Sequence, residues 1–406
     1  MSEVSLALEQ RPATTEGPAP DEGHGRIDAI DGLRAVAVAA VMAFHYGLGL
    51  DGGFLGVDLF FVISGFVITR LLLTEQARTP RPALGGFWFR RVKRLLPAVL
   101  LVVASVQAWM LLEDPPGLHR TVNAQTLAAL TYTSNWYAVA GHVGYWDVTQ
   151  EQAPLNHLWS LAVEEQFYLV WPLLLIALVA SGRGRVRRPR PSLHTLLLAT
   201  AALCYLLAHL LHVPGAFERA YMGTDTRAGA LLLGASTAVR PGLFRRFWPP
   251  AVAVLGWLWC VADLDSAAFY AWQLPLAGIA GVTLIDAAAH GARPLRVLSY
   301  RPLVWLGHRS YGLYLWHWPV WVYLGVEHPE WSQAVKVSVA VCASVVLATA
   351  GYRLIERPVR LSSWRARALL PVLAVCCAAS ALVTLVPVAA PVDARDGPVV
   401  TGPNTR

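Results

Sequence analysis

Apolar runs of roughly twenty residues recur along almost the whole chain, each fenced by Arg or Lys, and nothing else in the sequence limits the fold so strongly. A run of that length is what an α-helix needs to cross the hydrocarbon core of a bilayer, where every backbone polar group must be satisfied within the segment. Eleven such stretches are readable: 29–49, 54–74, 95–113, 158–180, 193–213, 225–240, 248–265, 269–288, 309–326, 332–353 and 368–390. Only 15% of the 406 residues are charged and 55% are hydrophobic, against ~25% charged in an ordinary soluble domain. The expected class is therefore an all-α integral membrane protein, a polytopic bundle embedded in the lipid bilayer. The net charge of +7 lies in the loops between runs and forms no basic, aromatic-interleaved patch, which argues against a nucleic-acid partner. Cys204, Cys260, Cys342, Cys376 and Cys377 all fall inside apolar runs without CxxC or Cys/His spacing. Neither disulfides nor a metal site is expected from them.

The basic clusters order the loops. They lie at 78–94, 183–190, 240–246, 293–301 and 353–367, and alternate with neutral or acidic connections such as LDGG (50–53), EDPPG (113–117), DLDS (263–266) and EHPE (327–330). By the positive-inside rule the basic set faces the cytoplasm. That alternation holds only if the semi-polar region 114–157 stays on the outer side, as an external or re-entrant segment rather than a crossing. Eleven crossings then put the N-terminus inside and the C-terminus outside. Residues 1–25 read as a disordered cytoplasmic tail, 26–360 as the membrane domain, 361–390 as an additional transmembrane helix and 391–406 as a short external tail.

Ionisable residues inside apolar runs are costly and mark either a site or a paired contact. GLRAVAVAAVMAFH carries Arg34 and His45. Eleven residues is close to three helical turns, so the two share a face about 16 Å apart. Each taken singly also reads as a snorkelling cation or a satisfied core histidine. Asp58 is a lone carboxylate in GVDLFFVISGF and needs a cationic partner. FRRVKR places Arg90, Arg91, Lys93 and Arg94 at the entrance to a run, a grouping suited to phosphate oxygens as well as to fixing topology. Glu164 and Glu165 stand together in NHLWSLAVEEQFYL, with His157 and Ser160 one or two turns earlier. Asp225 and Arg227, the set His308, Arg309, Tyr311, Tyr314 and His317, and the pair Glu356 and Arg357 are further polar interruptions.

These segments resemble the acyltransferase-3 family of integral membrane O-acyltransferases, which modify surface polysaccharides and some macrolides. The likeness rests on the R-x10-H pattern at Arg34 and His45, GVDLFFVISGF at 56–66, R-x-x-R at Arg91 and Arg94, LWSLAVEEQFYL at 158–169, SYGLYLWHWP at 310–319 and IERP at 355–358, all in the family's order. The resemblance implies a domain of about ten spans, to which the run at 368–390 adds an eleventh. It implies transfer of an acyl group, commonly acetyl, from cytoplasmic acyl-CoA to a hydroxyl on a glycan, lipid-linked sugar or glycoside of the cell envelope. Arg34, His45, Arg91 and Arg94 match the family's functional motifs. His45 fits a general base, because a neutral imidazole can take a hydroxyl proton near neutral pH; Glu165 is added as its orienter or as an acceptor contact. Arg91 and Arg94 are expected to dock the CoA phosphates, and no permanently bound cofactor or metal is expected. A covalent acyl-enzyme stays open beside direct transfer.

Some family members continue from an eleventh span into an external esterase-like domain. Only sixteen residues follow the candidate span here, so the chain is expected to act alone, to work with a separate external partner of that kind, or to be part of a longer chain. A glycolipid transporter or flippase is the alternative reading, since it too would use many spans and intramembrane charges; no inverted repeat is evident in the sequence.

Overall fold

The structure, a computed structural model, describes residues 27–79, 83–113, 115, 117–141, 153–180 and 191–385. The expectations for the tails 1–25 and 391–406 and for the basic cluster 183–190 lie outside the described residues. Helices dominate: α1 Asp28–His45, α2 Gly56–Arg78, α3 Leu84–Glu113, α4 His119–Leu130, α5 Ser134–Ala140, α6 Trp159–Ala180, α7 Pro191–Leu211, α8 Glu218–Met222, α9 Thr224–Val239, α10 Trp248–Val261, α11 Leu274–Ala289, α12 Arg301–Glu327, α13 Gln333–Gly351, α14 Arg357–Leu361 and α15 Ala366–Val383. Single π-helical turns, Phe269–Gln273 and Tyr352–Glu356, lead into α11 and join α13 to α14.

Among the described residues seven segments are long and apolar enough to cross a membrane: Gly53–Arg78, Leu84–Glu113, Asn156–Val179, Leu193–Leu211, Phe269–Ala289, Gln333–Leu361 and Ala366–Val383. The other four stretches expected to span are helical but fall outside that set. α9 and α10 have 16 and 14 residues, about 24 and 21 Å at helical rise. α1 has 18 residues but holds Asp28, Asp31 and Arg34 in its first two turns. α12 is long enough, yet breaks its apolar run with His308, Arg309 and His317. Eleven crossings are thus an expectation to which seven segments conform by length and composition.

The region 114–157 does not form a crossing helix among its described residues. α4 and α5 have 12 and 7 residues and are joined by a turn at Tyr132, whose φ of 53° is left-handed. α4 starts beside the end of α15, where Asn123 donates to the Thr384 carbonyl at 3.1 Å. It ends with Leu130 packed on Leu100, Leu369 and Leu373, well down α3 and α15. The turn is pinned there by polar bonds. Gln166 Nε2 donates to the Tyr132 carbonyl at 2.8 Å and to Asn135 Oδ1 at 3.0 Å; Asn135 Nδ2 donates to the Met222 carbonyl and to Thr224 Oγ1. The two helices therefore form a short helical hairpin rather than one crossing helix.

Lipid removes most of the hydrophobic drive between helices, leaving close packing and interhelical hydrogen bonds to hold the bundle. α2 and α9 show both. A Cβ on Gly65 would overlap the Leu231 carbonyl, and one on Gly234 would overlap the Val62 carbonyl, so the two backbones touch reciprocally. Along the same contact Arg227 Nη2 meets Asp58 Oδ2 at 2.8 Å with side-chain exposures of 1% and 2%. That guanidinium also lies over the rings of Tyr221 (4.6 Å), Phe61 (5.5 Å) and Trp159 (5.8 Å). Asp58 thus has the cationic partner its environment requires.

The described basic clusters gather at one end of the bundle. Arg90 pairs with Glu75 at 3.4 Å, and Lys93 donates to the Ser362 carbonyl at 2.7 Å. The backbone amides of Gly242 and Phe244 donate to the Asp286 carboxylate. The start of α12 presses Gly307 against the Asp31 carbonyl.

Candidate active site

Two adjoining cavities open from this basic end. The outer one, about 900 Å³ with its mouth, is lined by Arg34, Arg94, His308, Tyr352, Glu356 and Arg360 among others. The inner one, narrower, shares Arg34, Arg94, Ser310 and Tyr311 with it and continues to Arg91, Ser64, Glu164, Tyr168, Ser160 and Tyr314. Arg34, Arg91 and Arg94, all expected from the sequence, thus converge on one space.

Neighbouring groups hold Arg34 and Arg91. Arg34 Nη1 bonds Asp31 Oδ1 at 2.9 Å, one turn back on α1, and the other Asp31 oxygen lies 3.5 Å from His308 Nε2. The Arg91 guanidinium lies over Tyr168 at 5.2 Å and Phe87 at 5.5 Å, within electrostatic reach of Glu164 and Glu165. Glu164 accepts hydrogen bonds from the Ser64 and Tyr168 hydroxyls. Of the two adjacent acids, Glu164 is on the cavity wall. Glu165, the one chosen from the sequence, lies off it, near Arg91 and Arg94, with Oε1 lacking a hydrogen-bond partner.

The deep end of the inner cavity is closed by two hydroxyls. Tyr314 Oη lies 2.8 Å from the His157 carbonyl and 2.6 Å from Ser160 Oγ. A phenol has one proton; given to the carbonyl, it leaves the serine as the donor to Tyr314. Behind this closure three imidazoles meet. His45 Nδ1 is 2.8 Å from His317 Nε2, with the rings nearly parallel at 17°. His157 stands edge-on to His317 at 5.7 Å and has Nε2 3.2 Å from the Leu315 carbonyl. His317 is fully buried, His157 nearly so, and His45 half-buried.

The sequence expectation set Arg34 and His45 on one helix face about 16 Å apart. The structure gives them separate surroundings: Arg34 lines both cavities, while His45 sits past the Tyr314–Ser160 closure, against Phe44 and Trp318. Ser64, Tyr168 and Arg360 were not singled out from the sequence. Tyr168 carried a usable signal, being one turn after Glu164 on the same helix, and Arg360 stood within the basic cluster 353–367; Ser64 carried none of its own. His157, Ser160, Tyr314, His317 and Glu356 were visible as polar interruptions, but their joint placement was not.

Comparison with known proteins identifies the family of the chain. A family model described as "Acyltransferase domain" matches residues 27–353. The chain is 35% identical over 366 residues to the "Putative peptidoglycan O-acetyltransferase YrhL" of Bacillus subtilis, covering 84% of this chain and 56% of that protein. It is 36% identical over 357 residues to the "Peptidoglycan O-acetyltransferase OatA" of Listeria monocytogenes, covering 82% and 56%. It is 35% identical over 369 residues to the "O-acetyltransferase OatA" of Staphylococcus aureus, covering 85% and 59%. The chain therefore spans little more than half the length of these curated relatives. No solved structure matches it. With the family model matching residues 27–353, most of its length, the chain belongs to the acyltransferase-3 family.

Proposed function

We propose that this protein is a membrane O-acyltransferase that takes an acyl group, acetyl in the first instance, from acyl-CoA at its basic end and delivers it to a hydroxyl of an envelope glycan. The positive-inside rule sets the basic end in the cytoplasm, where acyl-CoA is found. Eleven crossings would leave the N-terminus there and the C-terminus outside. The three relatives carry peptidoglycan O-acetyltransferase or O-acetyltransferase names, which makes peptidoglycan the first acceptor to test.

One observation supports this reading above the others: an arginine-lined cavity leads to a hydroxyl closure with a histidine cluster directly behind it. Guanidinium groups bind phosphate oxygens in bidentate fashion, so Arg34, Arg94 and Arg360 suit the polyphosphate end of CoA. The narrower inner cavity suits the pantetheine arm, with Arg91 and the Glu164–Ser64–Tyr168 set beside it. In the transfer step the acceptor oxygen bonds to the thioester carbonyl carbon and its proton passes to His45. The carbon–sulfur bond then breaks, and the CoA thiolate takes a proton to leave as the thiol. Glu165, near Arg91 and Arg94, is assigned to balancing their charge.

The test is turnover of radiolabelled acetyl-CoA by the purified protein in proteoliposomes with a muropeptide acceptor. His45→Ala is expected to reduce transfer by at least about 10²-fold, the contribution typical of a positioned general base, with insertion and thermal midpoint retained. Transfer that persists in His45→Ala removes His45 from the mechanism.

A further inference from the structure

The inner cavity changes character along its length, and α2 measures the change. Val57, Phe60, Ser64 and Val67 all line it. Steps of three, four and three residues keep them on one face of the helix, and the ten residues from first to last cover about 15 Å. Val67 also lines the outer cavity, as do Arg34 and Arg94, so this end is the mouth. Ser64, one turn further in, donates to Glu164, which also accepts from Tyr168, the ring beneath Arg91. The cations therefore stop near the level of Ser64. Beyond it the described wall consists of Val57, Phe60, Phe61 and Leu161, with the hydroxyls of Ser160 and Tyr314. None of these side chains is charged.

We infer that this deep end is the acyl subsite, and that the Phe60 ring limits the length of the chain it accepts. The inference rests on the reading of the cavity as the acyl-CoA site. For transfer, the thioester carbonyl has to reach the Ser160–Tyr314 closure, because His45 lies behind it. A tail joined to that carbonyl is then surrounded by the apolar wall. An unpaired carboxylate is costly in such a place, so the subsite takes neutral acyl groups and rejects dicarboxylic ones such as succinyl.

Phe60 is the residue of this wall placed to act as a stop. Val57, Phe61 and Leu161 are packed away, whereas Phe60 keeps part of its surface exposed where it lines the cavity. Its ring meets that of Tyr314 edge to face, with 6.3 Å between centroids at 64°. The two rings thus stand together at the deep end. Tyr314 is anchored through its hydroxyl to the His157 carbonyl and Ser160, while Phe60 is held by packing. Shortening Phe60 opens the subsite without stranding a polar atom, and the space gained lies about one helical turn beyond Ser64.

The test compares acetyl-CoA, butyryl-CoA and succinyl-CoA as donors for the wild type, Phe60→Leu and Phe60→Ala in proteoliposomes with a muropeptide acceptor. One methylene in an apolar pocket changes kcat/KM by about 10- to 200-fold. The wild type should therefore favour acetyl over butyryl by at least about 10²-fold. That preference should shrink about tenfold in Phe60→Leu and about 10²-fold in Phe60→Ala, with succinyl-CoA unused throughout. General destabilisation lowers the rates with both neutral donors together and leaves their ratio unmoved, and Phe60→Leu carries the test if Phe60→Ala does not fold. A wild type that uses butyryl-CoA or succinyl-CoA as well as acetyl-CoA, or an unchanged ratio in a folded variant, overturns the inference. A second measurement needs no turnover: calorimetric binding of the ketone analogues acetonyl-CoA and 2-oxopentyl-CoA, which cannot transfer an acyl group, should show the same order of change. Turnover with an unmoved ratio removes the subsite and leaves the proposed function standing. Analogue preference that shifts as expected in a protein that transfers nothing removes the proposed function and leaves the subsite. Binding of neither analogue removes both.

Discussion

Removing the carboxylate of Asp58 should be among the most damaging single changes outside the cavities. At 2.8 Å the Asp58–Arg227 attraction is about 6 kcal/mol with an effective dielectric near 20. The desolvation of two ions costs a similar amount, so the pair as a whole contributes little net stability. The asymmetry appears when one partner goes. Asp58→Ala leaves a guanidinium that is 1% exposed with only ring faces around it, each worth at most about 2 kcal/mol. A loss of about 3–5 kcal/mol follows. In Asp58→Ala/Arg227→Met no charge is stranded, and most of that loss should be regained, with a coupling of at least about 2 kcal/mol. Thermal unfolding in detergent micelles, scored by size-exclusion fluorescence across the four proteins of the cycle, measures it. Additive losses, with the double variant no better than Asp58→Ala, would refute the stranded-charge argument. The Trp159 ring contacts the same guanidinium and begins the helix that carries Ser160 and Glu164. Acetyl transfer should therefore fall with stability in the single variant and recover with it in the double.

Two further outcomes follow from the packing and the cavities. Gly65→Leu should separate α2 from α9 at the Leu231 carbonyl and cost upwards of about 3 kcal/mol, read as early melting or loss of the monodisperse peak, whereas the same change at Gly85, with nothing within 4 Å of its added Cβ, should be tolerated. Arg91→Ala with Arg94→Ala should raise the acetyl-CoA KM by about 10- to 100-fold, at 1.5–3 kcal/mol per charged hydrogen bond lost, while an unchanged KM in initial-rate assays would remove these arginines from donor binding.

Much of the architecture was legible because bilayer physics writes itself into one dimension. Apolar length, flanking cations and the failure of 114–157 to reach spanning character needed no tertiary information. The four stretches that fell short did so for local reasons, either brevity, as in α9 and α10, or polar residues retained within the run, as in α1 and α12. In the site, Arg34, Arg91 and Arg94 were legible through the R-x10-H and R-x-x-R patterns, since a cation at a span entry by itself also serves topology. The choice between Glu164 and Glu165 was out of reach. Adjacent helical residues point about 100° apart, and only the position of Ser64, a hundred residues away in sequence, shows which of them meets the cavity. His45 and His317 are 272 residues apart, a pairing that no local spacing encodes. The same holds for Asp58 and Arg227, although the need for some partner was readable from Asp58 alone.

The hairpin of α4 and α5 has a bearing on how chains of this type are mapped. A segment that dips in and returns contributes two helices to any helix count and nothing to the parity of crossings. A topology drawn by scoring each helical stretch as a passage, with this dip fused into one, would invert every loop after Glu113 and place Arg240 and Arg353 opposite Lys93. The hydrogen bond from Lys93 to the Ser362 carbonyl forbids that inversion for the closing part of the domain. Reporter fusions or cysteine-accessibility probes placed before and after this region should therefore report the same side of the membrane.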